Sequence, residues 1–122
     1  MCIVVALLAT ACGRPGLKTY DATKSRACVA SKAAHVGPPP ASDFIASTAL
    51  GGAFHVKLAR NAVTVSFGSN PTNAQGLDDA YRNVHAKNVG IDDVLRMQGN
   101  AVMLWHQHPT DEQLALITGC LK

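Results

Sequence analysis

The chain has 122 residues, of which 48% are hydrophobic and 16% charged, and its formal net charge is +3. This length accommodates one domain rather than two, and the composition is typical of a folded protein rather than a disordered one. Four cysteines are too few for a scaffold built mainly on disulfides, so a hydrophobic core has to supply most of the stability. The small positive charge is weak evidence for an anionic partner.

Residues 1–11 are predicted to be a signal peptide. Residues 2–11 (CIVVALLATA) are apolar or small and carry no charge. This run is too short for a transmembrane helix, which needs about 20 apolar residues. Ala9, Thr10 and Ala11 fit the small-x-small pattern of a signal cleavage site. The alternative is a buried N-terminal strand or helix of a cytosolic protein, and the cleavage pattern favours export.

Cys12 follows directly after the predicted cleavage site. Residues 8–13 (LATACG) resemble the lipobox of bacterial lipoproteins, apart from Ala9, where that family prefers Leu. The resemblance implies that a lipid is attached to Cys12 and anchors the mature chain to a membrane outside the cytoplasm. Residues 12–19 are then a tether, and residues 20–122 form a single domain.

The remaining cysteines are predicted to form a disulfide. Cys2 leaves with the signal peptide, and if Cys12 carries lipid, Cys28 and Cys120 can pair in an oxidising compartment. A bridge that closes a loop of about 90 residues stabilises a chain by roughly 4 kcal/mol in the chain-entropy model. The alternative is two buried free thiols, as in reducing compartments.

Residues 20–36 are predicted to form a helix that carries Cys28, with Ala27, Ala30 and Ala34 along one side. The helix cannot continue through Gly37 and the three prolines that follow it. Residues 41–51 carry no clear pattern, and a short additional strand would fit there.

Two pairs of matching segments predict an internal duplication. Residues 57–63 (KLARNAV) resemble residues 96–102 (RMQGNAV), and residues 71–75 (PTNAQ) resemble residues 109–113 (PTDEQ). The offsets between the matched residues are 39 and 38 positions. Two matches in the same order at nearly one offset indicate a repeated unit.

Each repeated unit is predicted to be a β-hairpin followed by a helix. Arg60-Asn61 and Gly99-Asn100 fit two-residue turns. Strict alternation predicts strands with one buried face, formed in the first unit by Phe54, Val56, Leu58, Val63, Val65 and Phe67. Thr72 and Thr110 each precede a Gln by three residues, the spacing of a capping box. Gly90 is predicted to end the second helix.

The helices that follow the hairpins each have an apolar face. Its residues are Leu77, Tyr81 and Val84 in the first unit and Leu114, Ile117 and Leu121 in the second. The predicted fold is an α+β two-layer sandwich of order α-ββα-ββα. In it, helices cover one face of an antiparallel four-stranded sheet.

The duplication also predicts a binding surface on the uncovered face of the sheet. The alignment places Met103 and Trp105 there, together with His55, Lys57 and Arg96. An exposed aromatic ring among basic side chains is typical of contact sites. Two alternatives remain open: residues 38–51 cover Trp105, or Trp105 fills a sheet-to-sheet homodimer contact.

Two histidines suggest a second kind of site. His106 and His108 would lie on one side of an extended chain and, with Met97 or Met103, could bind copper or zinc. A closed metal site needs three or four ligands, so ordinary packing or capping is the simpler interpretation.

The expected function is an exported, lipid-anchored interaction module without catalytic activity. Its partner would be a protein, an envelope component or a small ligand, while export disfavours nucleic acid. No hydrolase elbow, phosphate-binding loop or zinc-protease motif is present. The adjacent acids Asp78-Asp79 and Asp92-Asp93 point apart and are unsuited to a catalytic pair. The alternative is an envelope metal-binding protein, and no other cofactor is expected.

Overall fold

The computed structural model describes residues 18–32, 35–84 and 90–122, so the predicted signal peptide, Cys12 and most of the tether lie outside the described residues. In chain order the described residues form α1 (Ala22–Lys32), β1 (His35–Gly37), α2 (Phe44–Ser47), β2 (Ala53–Leu58), β3 (Asn61–Phe67), α3 (Pro71–Val84), α4 (Ile91–Val94), β4 (Leu95–Gln98), β5 (Ala101–Trp105) and α5 (Asp111–Thr118). The strands make one open antiparallel sheet in the order β1-β2-β3-β5-β4. The α+β class is confirmed, and the sheet has five strands rather than four.

One face of the sheet, which we call the disulfide face, has an almost wholly apolar core. Helices α1 and α5 cover it, and their Val29 and Ile117 are fully buried. Across the centre of the sheet, Val63 lies opposite Trp105 and Val65 opposite Met103. The buried sheet residues of this face are Phe54, Val56, Val63, Val65, Phe67, Ala101, Met103 and Trp105.

The predicted disulfide between Cys28 and Cys120 is present. It joins α1 to the residues that follow α5, with a Cα–Cα distance of 5.3 Å and a sequence separation of 92. Backbone contacts reinforce this junction, because the Asp21 N–H donates to the Lys122 carbonyl over 2.7 Å. The Lys122 N–H in turn donates to the Ser25 hydroxyl over 3.0 Å. The two ends of the described chain are therefore fastened together on this face.

The opposite face, which we call the pocket face, mixes apolar and polar side chains. Helix α3 packs on it through Ala74 and Tyr81, and α2 packs on it through Ile45. Ser66 is fully buried there. Because side chains alternate along a strand, the register assigns His55, Lys57, Thr64, Ser66, Val102 and Leu104 to this face.

Helices thus cover both faces, and the expectation of helices on one face only was wrong. The β3–β5 register gives the reason. Val63 lies opposite Trp105, and Val102 lies opposite Ser66. Directly opposite residues share a face, whereas residues 63 and 66 point to different faces. Val63 and Val102, which the repeat aligns, therefore lie on opposite faces of the sheet.

The arrangement of the two hairpin–helix units also departs from a structural duplication. Strands β3 and β5 are antiparallel neighbours at the centre of the sheet. If the two units were structural duplicates, a twofold axis perpendicular to the sheet would exchange β3 and β5. Such an axis does not exchange the two faces of the sheet. Duplicated units would therefore carry their helices on the same face. Helix α3 lies on the pocket face and α5 on the disulfide face. The two units therefore have opposite hands.

The N-terminal part of the domain differs from the sequence prediction in two ways. The helix predicted over residues 20–36 is described as Ala22–Lys32, Ala34 lies outside the described residues, and His35–Gly37 instead pairs as β1 with the free edge of β2. The side of α1 that packs inward carries Ser25 and Val29, whereas Ala27 and Ala30 are exposed. Within residues 41–51 the short strand is replaced by α2.

One predicted hairpin turn and one predicted helix cap are present, and the other hairpin turn lies one residue earlier than predicted. Gly99 adopts a φ of 56° at the Gly99-Asn100 turn, as predicted, but the first turn is Ala59-Arg60, where Arg60 adopts a φ of 60°. The capping box at Thr110 is confirmed.

The corresponding cap in the first unit was predicted wrongly. Helix α3 begins at Pro71, and the Asn70 side chain accepts from the Asn73 N–H over 2.7 Å, so Asn70 replaces Thr72 as the cap. Gly90 is the N-cap residue of α4, and α3 is described as far as Val84.

Candidate binding pocket

A pocket of about 820 Å³ opens on the pocket face of the sheet. Its walls come from the segment that leads into α2, the C-terminal part of α3, α4 and the adjoining ends of β2, β3 and β5. The apolar lining residues are Pro40, Phe44, Ile45, Leu58, Ala62, Val84, Ile91, Val94, Leu104 and Trp105. The ionisable and polar lining residues include Asp43, His55, Lys57, Arg60, Asn61, Thr64, Tyr81, His106 and Gln107.

A buried hydrogen-bonded cluster fixes the inner wall. The Tyr81 hydroxyl donates to Oδ2 of Asp43 over 2.8 Å and lies 3.4 Å from the Ser66 hydroxyl. Oδ1 of Asp43 accepts from the Ala46 N–H over 2.9 Å, which caps α2. Burial raises the pKa of Tyr81 above its ordinary value, and Asp43 adds to the rise while Ser66 opposes it. The phenol is therefore held neutral and joins α3 to α2.

His55 lies on β2 and lines the pocket. Its Nδ1 atom lies 2.9 Å from the Thr64 hydroxyl, which belongs to the neighbouring strand. Partial burial lowers the pKa of His55, the charge of Lys57 lowers it further, and Asp43 opposes both effects. The imidazole therefore stays neutral to a lower pH than an unperturbed histidine.

Three basic side chains border one end of the pocket. Lys57 lies near the end of β2, Arg60 occupies the turn that follows, and His106 comes directly after β5. Antiparallel pairing of β3 with both neighbours brings these three positions to the same end of the sheet. All three residues are exposed.

Helix α4 forms another wall and is held by charged contacts. The Arg82 guanidinium bonds to Asp78 over 2.9 Å and also to Asp92, so it bridges α3 and α4. These two carboxylates raise the pKa of Arg82. Nδ1 of His108 lies 2.6 Å from Asp93. Ile91 and Val94 of α4 are thereby presented to the pocket.

The five residues predicted to share an open face are divided between the two faces. Met103 and Trp105 are 1% and 2% exposed, and α1 and α5, rather than residues 38–51, cover their face. Arg96 pairs with Met103, and its guanidinium donates to the backbone oxygens of Asp92 and Leu95. The other two, His55 and Lys57, lie on the pocket face. The common surface was predicted wrongly because the β3–β5 register places Val63 and Val102, which the repeat aligns, on opposite faces of the sheet.

Trp105 also contributes to the pocket boundary at the end of β5. Its indole Nε1 is buried and has no hydrogen-bond partner among the described residues. Its role in the described structure is to fill the core of the disulfide face. The sheet-to-sheet homodimer stays a prediction, and helices occupy both faces that it could use.

His106 and His108 do not form the paired arrangement expected of an extended chain. Strand β5 ends at Trp105 and the chain bends through residues 106 and 107, so His106 borders the pocket while His108 contacts Asp93. In residues 18–32, 35–84 and 90–122, no group of three or more His, Cys, Asp or Glu side chains is placed to hold a metal ion.

Sequence reasoning missed Asp43 and Tyr81 as parts of a site. Asp43 precedes a helix of only four residues, which leaves no apolar period to detect. Tyr81 was assigned to the core by helical spacing, which was right, but its hydroxyl partner lies 38 residues away in sequence. A buried tyrosine needs a polar partner, and that requirement was the one available signal.

No protein-family model, curated protein or solved structure matches this chain. Among the described residues, no helix is both long enough and apolar enough to cross a bilayer. The disulfide is the kind of bond that persists in an oxidising compartment.

Proposed function

We propose that this protein is an exported, lipid-anchored binding module that holds a small, partly apolar ligand in the pocket over the sheet. The pocket carries the proposal. Its volume of about 820 Å³ falls within the range of small-molecule sites, roughly 300 to 1,000 Å³. Apolar atoms supply most of the exposed area of its lining, and several of its polar groups are fixed by hydrogen bonds, as small-molecule sites require.

Exposed apolar side chains at the pocket support the same function. Phe44 and Val84 are 62% and 55% exposed, and both border the pocket. Large side chains left in water beside a concave surface are typical of ligand sites, because a ligand removes them from water. The hydrogen bond between Tyr81 and Asp43 holds α2 in position before a ligand binds. Less conformational entropy is then lost on binding.

A neutral fluorescent probe tests whether the pocket binds apolar molecules. N-phenyl-1-naphthylamine brightens when it leaves water, and we expect saturable binding of one molecule per chain. Ala62 lines the pocket on β3, so Ala62→Phe should fill part of the space and weaken binding by about tenfold or more. The matched control is Ala115→Phe, at an exposed position on α5.

The results separate cleanly. Loss of binding in Ala62→Phe with full binding in Ala115→Phe supports the pocket as the site. Absence of saturable binding to the unaltered protein would overturn the proposal. Equal binding by the unaltered protein and Ala62→Phe, with both showing the same cooperative unfolding, would do so as well.

Intact-mass measurement on protein from an exporting bacterial host tests the cellular part of the proposal. We expect a mature chain that begins at Cys12, is heavier by a lipid, and is lighter by two protons because Cys28 and Cys120 are joined. A chain that keeps residues 1–11 and has free thiols would contradict export.

A further inference from the structure

We infer that the ligand of this pocket is an amphiphilic anion, with an acidic head group held by Lys57 and Arg60 and an apolar body lying between α2 and α4. This inference rests on the proposed function and adds the chemical class of the ligand. Three independent features of the described residues support it: unpaired cations at one end, an acid that is already engaged, and apolar walls beyond both.

Within the described residues, Lys57 and Arg60 at the basic end have no acidic partner. All eight acidic residues of the chain lie in the described part, so every possible carboxylate side-chain partner is accounted for. The ion pairs in that part join Arg82 to Asp78 and Asp92, and Asp93 contacts the ring of His108. Lys57 and Arg60 are therefore free to pair with an acidic group from outside the chain.

Their placement fits one head group. Lys57 projects from the pocket face, as its pairing with Ala62 shows, and Arg60 follows three residues later in the turn. The backbone oxygen of Arg60 accepts from Nε2 of Gln107 over 3.0 Å, which fastens the turn to the segment after β5. A guanidinium offers a planar fork of donors that matches a carboxylate or phosphate, and an ammonium adds a point charge.

The pocket offers no corresponding site for a cationic ligand. Asp43 is the one carboxylate among the lining residues, and both of its oxygens already accept hydrogen bonds, from Tyr81 and from the Ala46 N–H. An ammonium group entering the pocket would meet Lys57 and Arg60 without a free acid to offset them. Charge therefore selects an anion over a cation of the same shape.

An inorganic anion would leave most of the pocket unused. Beyond the basic end, the walls are formed by the exposed ring of Phe44, by Val84 and by the side chains of Ile91, Val94 and Leu104. An apolar body covers these side chains and gains the free energy of removing them from water. The ligand class is therefore a molecule with one acidic end and a hydrocarbon or aromatic remainder.

Competition against N-phenyl-1-naphthylamine tests the head group with matched molecules. Decanoate and 1-decanol share the same alkyl chain, and acetate supplies the head group alone. We expect decanoate to displace the probe at about tenfold lower concentration than decanol, since charge-assisted hydrogen bonds are roughly twice as strong as neutral ones. Acetate should displace little, and about 0.5 M NaCl should weaken decanoate but not decanol.

Charge-removal variants locate the head group. In Lys57→Gln/Arg60→Gln the preference for decanoate over decanol, measured relative to that variant's own affinity for the neutral probe, should fall to about twofold or less. Lys24→Gln/Arg26→Gln removes the same charge from exposed positions on α1, the helix that covers the other face, and should keep the preference. This pair separates a local contact from the effect of net charge.

Each result decides between defined alternatives. If the neutral probe does not bind, the proposed function fails and this inference fails with it. If the probe binds but decanol competes as well as decanoate, the anionic ligand class alone is refuted. Equal loss of preference in both double variants would assign the effect to net charge and refute the head-group site at Lys57 and Arg60.

Discussion

The two faces of the sheet bury different kinds of side chain although they share the same five strands. The disulfide face packs aliphatic and aromatic side chains against α1 and α5, and Val63, Val65 and Phe67 are completely buried there. The pocket face buries Ser66 and Thr64, and its covering residue Tyr81 is joined through its hydroxyl to Asp43. The disulfide face is filled by apolar side chains, whereas the pocket face has buried polar groups and an open pocket.

This difference separates stability from binding. A filled apolar face with a covalent link between α1 and the residues that follow α5 supplies free energy of folding and leaves no room for a ligand. A face covered only in part by α2, α3 and α4 can keep a pocket because the other face already holds the strands together. Changes on the disulfide face should therefore alter unfolding, and changes on the pocket face should alter binding more than unfolding.

The largest expected effect comes from removing the disulfide. Cys28→Ser/Cys120→Ser should lower the free energy of unfolding by about 4 to 5 kcal/mol, because the bridge closes a long loop in the unfolded chain. Urea denaturation measures the change, and the unaltered protein with excess reductant gives an independent comparison. A loss below about 1 kcal/mol would mean that the apolar core alone stabilises this face.

Trp105→Ala should be the next most damaging change. The side chain is 2% exposed within the core of the disulfide face, and truncating a buried Trp typically costs about 3 kcal/mol or more. Trp105→Phe is the matched control, since it keeps an aromatic ring and removes the unpaired indole N–H; its cost should be about 1 kcal/mol. If Trp105→Ala unfolded like the unaltered protein, the stabilising role assigned to the core of the disulfide face would be wrong.

Local patterns in the sequence predicted the elements of this fold more reliably than their arrangement. The alternation in residues 54–67 identifies β2 and β3, and the cap at Thr110 identifies the start of α5, because both signals depend on neighbours in sequence. Strand β1 was missed, since three residues after a helix carry no period of their own.

The arrangement depended on a long-range register that the repeat did not determine. Aligning Val102 with Val63 assumed that matched residues share a face, whereas the pairing of Val63 with Trp105 places them on opposite faces. This difference between the assumed and the observed register is the reason why Trp105 lies in the core and not on the predicted binding surface. His55 and Lys57 were correctly predicted to share a face, because the alternation along β2 alone determines it, and that face carries the pocket.

Tyr81→Phe examines the polar character of the pocket face. Loss of the hydroxyl leaves Asp43 and Ser66 without this partner and should cost about 1 to 2 kcal/mol at neutral pH. The pKa of Tyr81 is raised in the folded protein, so its contribution is complete below the ordinary value of 10.0 and is lost as the pH rises above that value. The free energy of unfolding, measured on both sides of pH 10.0, should therefore fall less steeply with rising pH in Tyr81→Phe than in the unaltered protein. An identical pH dependence in the two proteins would contradict a buried phenol.

The smallest expected effect concerns His55. Its pKa is lowered in the folded protein, so the unfolded chain binds the proton more readily, and stability should decrease slightly as the pH falls below 6.5. NMR titration of the imidazole measures the pKa directly, with His55→Gln used to assign the resonance. Lys57→Gln should raise this pKa, because the Lys57 charge opposes protonation, and decanoate should raise it in the unaltered protein by adding a negative charge. A pKa that responds to neither change would mean that the Lys57 ammonium lies away from the pocket, and the basic end would then have to be assigned to Arg60 and His106.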